Sequence, residues 1–427
     1  MLKHLAIENF KCYEGRYEFN FPGLTYLTGA NNSGKSTVIQ ALYMLAKSNT
    51  RNADASLLLN TDSYHFGNYT NVLNKNCSNK DNIIFDIEYD KFSLQAEYDR
   101  NENVNFNPVL KYLEVDFFPT KNCNYSFNFV KDDSEKKYEN YNCYIKQNKK
   151  GRKWDTTIAG FTPLVMNKSF IDKFKNFKHI LDWQFFFSKI STSNIKYLRA
   201  YREDPKIFYT TYGVSLDDIG TSGEYTAEVI YKMNEAQKTV CFQSEELFIN
   251  ELQKWFKKII GLNYSLEVEN PENVLKMNIV ENLEKIQKYD ITEVGFGFSQ
   301  IVPIITMILL SKKGDVLLIE NPEVHLHPKL QANLAELFIY ATKYGRKLII
   351  ETHSEHIINR TRLLIKQEES FKDLNNQINI YFFEKIFENN NTFIKNEEIT
   401  IDKSGKLSNW PKDFFDQYYY DGLNLIK

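Results

Sequence analysis

The sequence predicts an α/β protein: a mixed and partly parallel sheet with flanking helices, interrupted by an inserted α+β region. Three stretches predict it. Gly29-Ala30-Asn31-Asn32-Ser33-Gly34-Lys35-Ser36 has the spacing of a phosphate-binding loop and lies between the apolar run Leu24 to Leu27 and the amphipathic run Thr37 to Ala46. Asp315 to Glu320 is an uninterrupted apolar strand that ends in an acid, the pattern of a strand covered on both faces. Lys347 to Glu351 repeats that pattern and delivers Thr352-His353-Ser354 to the same edge.

Leu2 to Phe10 alternates as a strand does, and a second strand is expected over Arg16 to Phe21. Pro22-Gly23 turns the chain into the Leu24 to Thr28 strand that feeds the phosphate loop. In that loop the glycines Gly29 and Gly34 allow a tight turn whose amides face a phosphate chain. Lys35 reaches the β- and γ-phosphates, and the Ser36 hydroxyl ligates Mg²⁺. The helix that follows adds its positive end. Val38, Leu42 and Leu45 mark the buried face of that helix. Asn82 to Tyr89 and Phe92 to Tyr98 read as an antiparallel pair.

Residues 101 to 166 give weak strand signals without a chemical motif. Lys146, Lys149, Lys150, Arg152 and Lys153 beside Trp154 could hold a nucleic-acid backbone, but Lys150-Gly151 also reads as a hairpin tip with solvated charges, the favoured reading. Ser169 to Ser188 and Thr226 to Ile260 read as helical, without the sustained heptads of a long coiled coil. Val294 to Gln300 is a glycine-bearing turn that opens an apolar helix from Ile301 to Leu310, with Pro303 near its first turn. Leu330, Leu334, Leu337 and Phe338 form a helical stripe that starts after Pro328 and stops at Gly345.

Composition narrows the class. The chain has 427 residues, 42% of them hydrophobic, which is ample for a sizeable core. Its formal net charge of -2 gives no overall positive field for nucleic acid. Five scattered cysteines suit reduced thiols in a cytoplasm. The absence of a basic-then-apolar leader and of a bilayer-length apolar run leads to the expectation of a soluble cytoplasmic protein without membrane partners.

Taken together, the phosphate loop, the Gly297-Phe298-Ser299-Gln300 turn, Leu317-Leu318-Ile319-Glu320-Asn321-Pro322-Glu323-Val324-His325-Leu326-His327-Pro328 and Ile349-Ile350-Glu351-Thr352-His353-Ser354 resemble, in type and order, the ABC-type ATPases of the RecF, SMC and overcoming-lysogenization-defect (OLD) group. Ile7-Glu8-Asn9-Phe10-Lys11 is similar to the group's first strand. Tyr197 to Pro205 and Trp410 to Asp416 resemble segments of a single-headed bacterial subfamily. The implied arrangement is an ABC-ATPase head. Residues 1 to 98 form its first part, 99 to 290 the inserted α+β and helical region, and 291 to 427 its second part.

The resemblance implies ATP and Mg²⁺ as cofactors. It assigns phosphate and nucleotide binding to Gly29, Asn32, Gly34, Lys35, Ser36 and Thr37, and the metal to Ser36 and Glu320. Gly297, Ser299 and Gln300 resemble the signature that contacts ATP held by the opposite subunit, so a homodimer or higher oligomer with shared ATP sites is implied. His353 resembles the switch histidine and His327 the start of the D-loop.

One position departs from the pattern. Where transporter-type members carry a catalytic glutamate after the Walker B acid Glu320, this chain has Asn321, which cannot take a proton. Either Glu323 supplies the base from two residues on, or hydrolysis is slow and ATP acts as a dimerisation switch. The four histidines His325, His327, His353 and His356 have a spacing that zinc accepts, but the resemblance gives two of them other roles. Arg199 and Arg202 reach phosphate or DNA, or close structural ion pairs.

The function implied is an ATP-dependent sensor or motor on DNA in bacterial antiviral defence. The stretch after His353 has neither the room nor the acidic motifs of a Toprim nuclease, so a separately encoded nuclease or toxin effector is expected, by analogy with two-gene systems such as Septu. The alternative is a slow ATP-gated scaffold that holds and releases such a partner without acting on DNA.

Overall fold

The computed structural model describes residues 1–49, 55–61, 63–78, 81–100, 107–120, 123–131, 140–145, 153–163, 194–369, 371, 373–388, 391–412 and 414–415. The chain divides into two compact units that interleave along the sequence. One comprises Met1–Phe21, Asn32–Ile195 and Lys385–Lys395, the other Pro22–Asn31, Lys196–Glu384 and Asn396–Lys427. The division passes through the phosphate loop, between Asn31 and Asn32.

The chain opens with β1 (Leu2–Glu8), β2 (Arg16–Asn20) and β3 (Leu24–Gly29), followed by α1 (Lys35–Ser48). In the first unit, β1 pairs antiparallel with β2, Leu5 opposite Phe19, and on its other side with β4 (Ile83–Tyr89), Leu5 opposite Ile87. β5 (Phe92–Asp99) follows, and its alternation is complete: Phe92, Leu94, Ala96 and Tyr98 are buried and the residues between them are not. The predicted pair of strands therefore forms, Ile87 opposite Leu94.

The weakly patterned region resolves into β6 (Val109–Thr120), β7 (Cys123–Lys131), β8 (Asn140–Ile145), β9 (Lys153–Ala159) and β10 (Thr162–Pro163). These extend the same sheet to nine strands in the order β10-β9-β8-β7-β6-β5-β4-β1-β2. Lys153 and Trp154 lie on β9, opposite Tyr144 and Cys143 of β8. The other basic residues of that stretch, and the helix expected over Ser169 to Ser188, lie outside the described residues. α1 also belongs to this unit. Val38, Leu42 and Leu45 are buried as their spacing predicts, together with Ile39, Ala41, Met44 and Ala46, so the helix is covered on more than one face.

The second unit is built on a six-stranded sheet. Its strands are β3, β11 (Ile195–Leu198), β15 (Val316–Glu320), β16 (Lys347–Glu351), β17 (Ile378–Glu388) and β18 (Asn391–Thr400), in the order β11-β15-β16-β3-β17-β18. The strands β12 (Tyr264–Glu269), β13 (Lys276–Asn282) and β14 (Ile286–Asp290) form a separate antiparallel sheet. In the larger sheet β15, β16, β3 and β17 run parallel, with Glu320 opposite Glu351, Leu348 opposite Leu24 and Ile378 opposite Leu24. All five residues of β15 and all five of β16 are buried, as expected for strands covered on both faces. Leu317, Ile319, Leu348, Ile350 and Ile380 enter one core with residues of five helices: α2 (Thr226–Glu235), α3 (Phe248–Ile260), α4 (Gly297–Leu310), α5 (Pro328–Lys343) and α6 (Glu355–Gln367).

Two expectations are corrected here. Thr226 to Ile260 is not one helix, because a hairpin of Thr239–Cys241 with Glu245–Leu247 separates α2 from α3. Thr239-Val240 favours extended backbone, and tertiary contacts hold the hairpin in place. Phe242 stacks on Tyr340 at 4.9 Å, and the Arg346 guanidinium lies 3.6 Å over the Phe242 ring while donating to the Cys241 carbonyl at 2.8 Å. The second correction concerns α4, which begins at Gly297, so Pro303 lies inside the helix and not in its first turn. Space for its ring comes from a glycine: a side chain at Gly223 would meet Pro303 carbons at 2.8 Å.

Toward the C-terminal end Phe414 is buried and packs on Phe382 of β17 at 5.6 Å, with Trp410 at 5.2 Å from Phe414, so this segment packs within the second unit. Among the described residues no helix is long and apolar enough to cross a membrane.

Candidate functional site

The second unit gathers most of the predicted site at the C-terminal edge of its parallel strands, where α/β folds hold ligands. Glu320 ends β15 opposite Glu351 of β16, and Glu351 lies opposite Leu27, two residues before Gly29. Gly29 is required there: it has φ 132°, and a Cβ would fall 2.1 Å from the Phe383 carbonyl oxygen. Glu320 is buried. Its Oε2 accepts the Ala200 N–H at 3.2 Å, and its Oε1 is buried without a hydrogen-bond partner. Burial pushes the Glu320 carboxyl up from the usual range, against the Ala200 amide, the Tyr197 hydroxyl and the charges of Arg202 and Arg199. In return, burial and the Glu320 carboxylate push the Tyr197 phenol far above its ordinary value. A buried carboxylate oxygen left unpartnered at a strand end has the chemistry of a ligand for a hard divalent cation.

Beyond Glu320 the chain makes a tight turn. Asn321 has φ 41°, and its N–H donates to the Glu351 carbonyl at 2.8 Å. Glu323 is held against Thr352 and His353: Oε2 accepts the Thr352 hydroxyl at 2.8 Å and Oε1 the His353 N–H at 2.7 Å. That stretch is itself fixed, since Thr352 N–H donates to the Leu27 carbonyl at 3.0 Å and Ser354 caps α6 through the Ile357 N–H at 3.2 Å. His327 caps α5, its Nδ1 accepting the Lys329 N–H at 3.3 Å.

The signature-like turn packs on this same region. A Cβ at Gly297 would lie 3.0 Å from the His325 carbonyl oxygen, and Phe296 meets the His325 ring edge-on at 4.8 Å. Ser299 and Gln300 are buried. The Ser299 hydroxyl donates to the Phe296 carbonyl at 2.7 Å, closing the first turn of α4.

In the first unit, Asn32, Gly34, Lys35, Ser36 and Thr37 form the second half of the phosphate loop and the start of α1. Gly34 has φ 99°, and two residues that sequence reasoning passed over are packed against it. The Tyr13 hydroxyl donates to the Gly34 carbonyl at 2.8 Å, and a Cβ on Gly34 would lie 2.9 Å from the Cys12 sulfur. Cys12 Sγ also lies 3.5 Å from Thr37 Oγ1, and burial pushes its thiol up. Nothing in the local pattern of Cys12 or Tyr13 marks them, because their role depends on a contact across about twenty residues of chain. Arg202 closes no direct ion pair among the described residues; it is buried, with its guanidinium on the carbonyls of Glu320 and Asn321. Burial lowers its pKa to about 10, against the nearby charges of Glu323 and Glu320.

A phosphate loop fed by a parallel strand, with a buried acid ending another strand of that sheet, defines the class of P-loop nucleotide-hydrolysing proteins. The chain belongs to the AAA ATPase domain family, whose model matches residues 1–358, and is an ATPase of that kind. A second model, Protein of unknown function (DUF3696), matches residues 375–421. No curated protein matches the chain. Solved structures similar to it include an SMC head bound to the C-terminal winged-helix domain of ScpA (15% identity, 94% of this chain and 98% of that one, TM-score 0.45). Others are the SMC head domain from Thermotoga maritima (10% identity, 92% and 98%, TM-score 0.39) and the Pyrococcus furiosus SMC head with an extended coiled coil bound to the C-terminal domain of ScpA (13% identity, 100% and 99%, TM-score 0.43).

Proposed function

We propose that the chain is a RecF/OLD-like ATPase that binds and hydrolyses ATP with Mg²⁺ and acts as an ATP-dependent sensor or motor on DNA. The observation that carries the hydrolytic part is Glu320, buried at the strand end with Oε1 unpartnered, which fits a metal ligand. Gly29, Asn32, Gly34, Lys35, Ser36 and Thr37 bind the nucleotide, and Ser36 and Glu320 are the metal ligands of this reading. When bound, Mg²⁺ neutralises charge on the β- and γ-phosphates. Glu323 takes the proton from the attacking water in place of the missing acid at Asn321, and His353, whose amide is tied to Glu323, senses the γ-phosphate. Gly297, Ser299 and Gln300 close over ATP held by a second copy, so the working unit is a homodimer or a higher oligomer. Bacterial antiviral defence with a separately encoded nuclease or toxin is the setting that the family resemblance supports.

A second reading has an observation of its own. Both carboxylate oxygens of Glu323 already accept hydrogen bonds, and Asn321 cannot act as a base, which favours slow turnover in an ATP-gated scaffold. ATP turnover by the purified chain in Mg²⁺, with and without duplex DNA, separates the two. Turnover that depends on Mg²⁺ and rises with DNA is expected. Slow turnover indifferent to DNA would favour the scaffold, and failure to bind ATP would overturn both readings.

A further inference from the structure

The segment that leaves β11 is pinned beside the end of β15 at several points. Arg199 N–H donates to the Thr221 carbonyl and Glu203 N–H to the Ser222 carbonyl, each at 2.9 Å. Between these anchors Ala200 and Arg202 both turn to one residue. The Ala200 N–H meets the Glu320 carboxylate at 3.2 Å, and Arg202 Nη2 meets the Glu320 carbonyl at 2.9 Å. Arg202 Nη1 lies 3.4 Å from the Asn321 carbonyl, a weaker contact, and its Nε is buried without a partner. The side chain is only 1% exposed.

We propose that Ala200 to Arg202 is a positioning element for ATP hydrolysis, in which Arg202 holds the left-handed peptide after Glu320 and thereby sets where the Glu320 and Glu323 carboxylates lie. This rests on the reading of Glu320 as the metal-binding acid. Three features favour positioning over a purely structural role. First, the tripeptide grips both the backbone and the side chain of Glu320. Second, Asn321 occupies a conformation that L-residues rarely adopt and that persists only where surroundings impose it, and it is held from one side by the Glu351 carbonyl and from the other by Arg202. Third, a buried guanidinium is expensive, and one placed only to stabilise would close an ion pair. This one is spent on two carbonyls, while its charge reaches Glu320 and Glu323 at longer range.

The test compares Arg202→Met and Arg202→Lys with the unaltered chain. Arg202→Met should lower kcat by about 10²-fold, the scale of a slight misplacement of reacting groups, with KM for ATP and ATP affinity in EDTA unchanged. Arg202→Lys, which keeps the charge and one donor for the Glu320 carbonyl, should recover much of the kcat. If Arg202→Met does not fold, Arg202→Lys carries the test: reduced kcat at unchanged KM supports the assignment. Wild-type kcat in Arg202→Met, an Arg202→Lys kcat no higher than that of Arg202→Met, or equal loss of kcat and of ATP affinity in EDTA in either variant, would overturn it. Failure of the unaltered chain to hydrolyse ATP would instead overturn the ATPase reading beneath it.

Discussion

Lys35→Ala is expected to abolish ATP turnover and to weaken ATP binding by about 10-fold to 100-fold, the value of one hydrogen bond to a charged group. Lys35 is the first residue of α1, directly after Gly34, whose φ of 99° closes the loop. That position gives the ammonium a fixed origin from which to meet the β- and γ-phosphates. Because the proposed site is shared, ATP-dependent dimerisation should fall together with binding. Titration with a fluorescent ATP analogue and sedimentation with and without ATP measure the two effects. Weakened binding with dimers unaffected would contradict the shared site.

Glu323→Gln should leave ATP binding intact and lower turnover by about 10² to 10⁴-fold, the usual contribution of a placed general base. The carboxamide keeps the shape of Glu323 and one oxygen to accept from Thr352 or His353, but it cannot take a proton. Single-turnover hydrolysis of bound ATP is the measurement to make. Unchanged turnover would reduce Glu323 to a tie from the Asn321 turn to Thr352 and His353, and would favour the scaffold reading.

The parts of the molecule that were legible in the sequence are those fixed by short-range pattern. The glycines and lysine of the phosphate loop, the five-residue apolar strands ending in Glu320 and Glu351, and the stripe of α5 each carry their signal within one element. What escaped depends on distant partners. β6 and β7 do alternate, with Leu113, Val115, Phe117, Phe127 and Phe129 buried and the residues between them not, but their place in the sheet is set by pairing with β5 and with each other, which no local pattern specifies. The hairpin at Thr239 to Leu247 is held by Phe242 on Tyr340 and by Arg346, about a hundred residues on. Arg202 reaches carbonyls far along the chain, and no spacing rule distinguishes such an arginine from an exposed one. The Tyr13 hydroxyl on Gly34 is hidden for the same reason.

The shared site itself is tested most directly by mixing two inactive variants. Lys35→Ala disables the phosphate loop. Gly295→Arg obstructs the signature turn within the Val294 to Gln300 stretch, at a position where an added Cβ would meet nothing within 4 Å. In a mixed dimer one site would carry both lesions and the other neither. Restored ATP turnover in the mixture, with neither variant active alone, is the predicted result. A mixture as inactive as its components, or full turnover by Gly295→Arg alone, would contradict a site completed by a second copy of the chain.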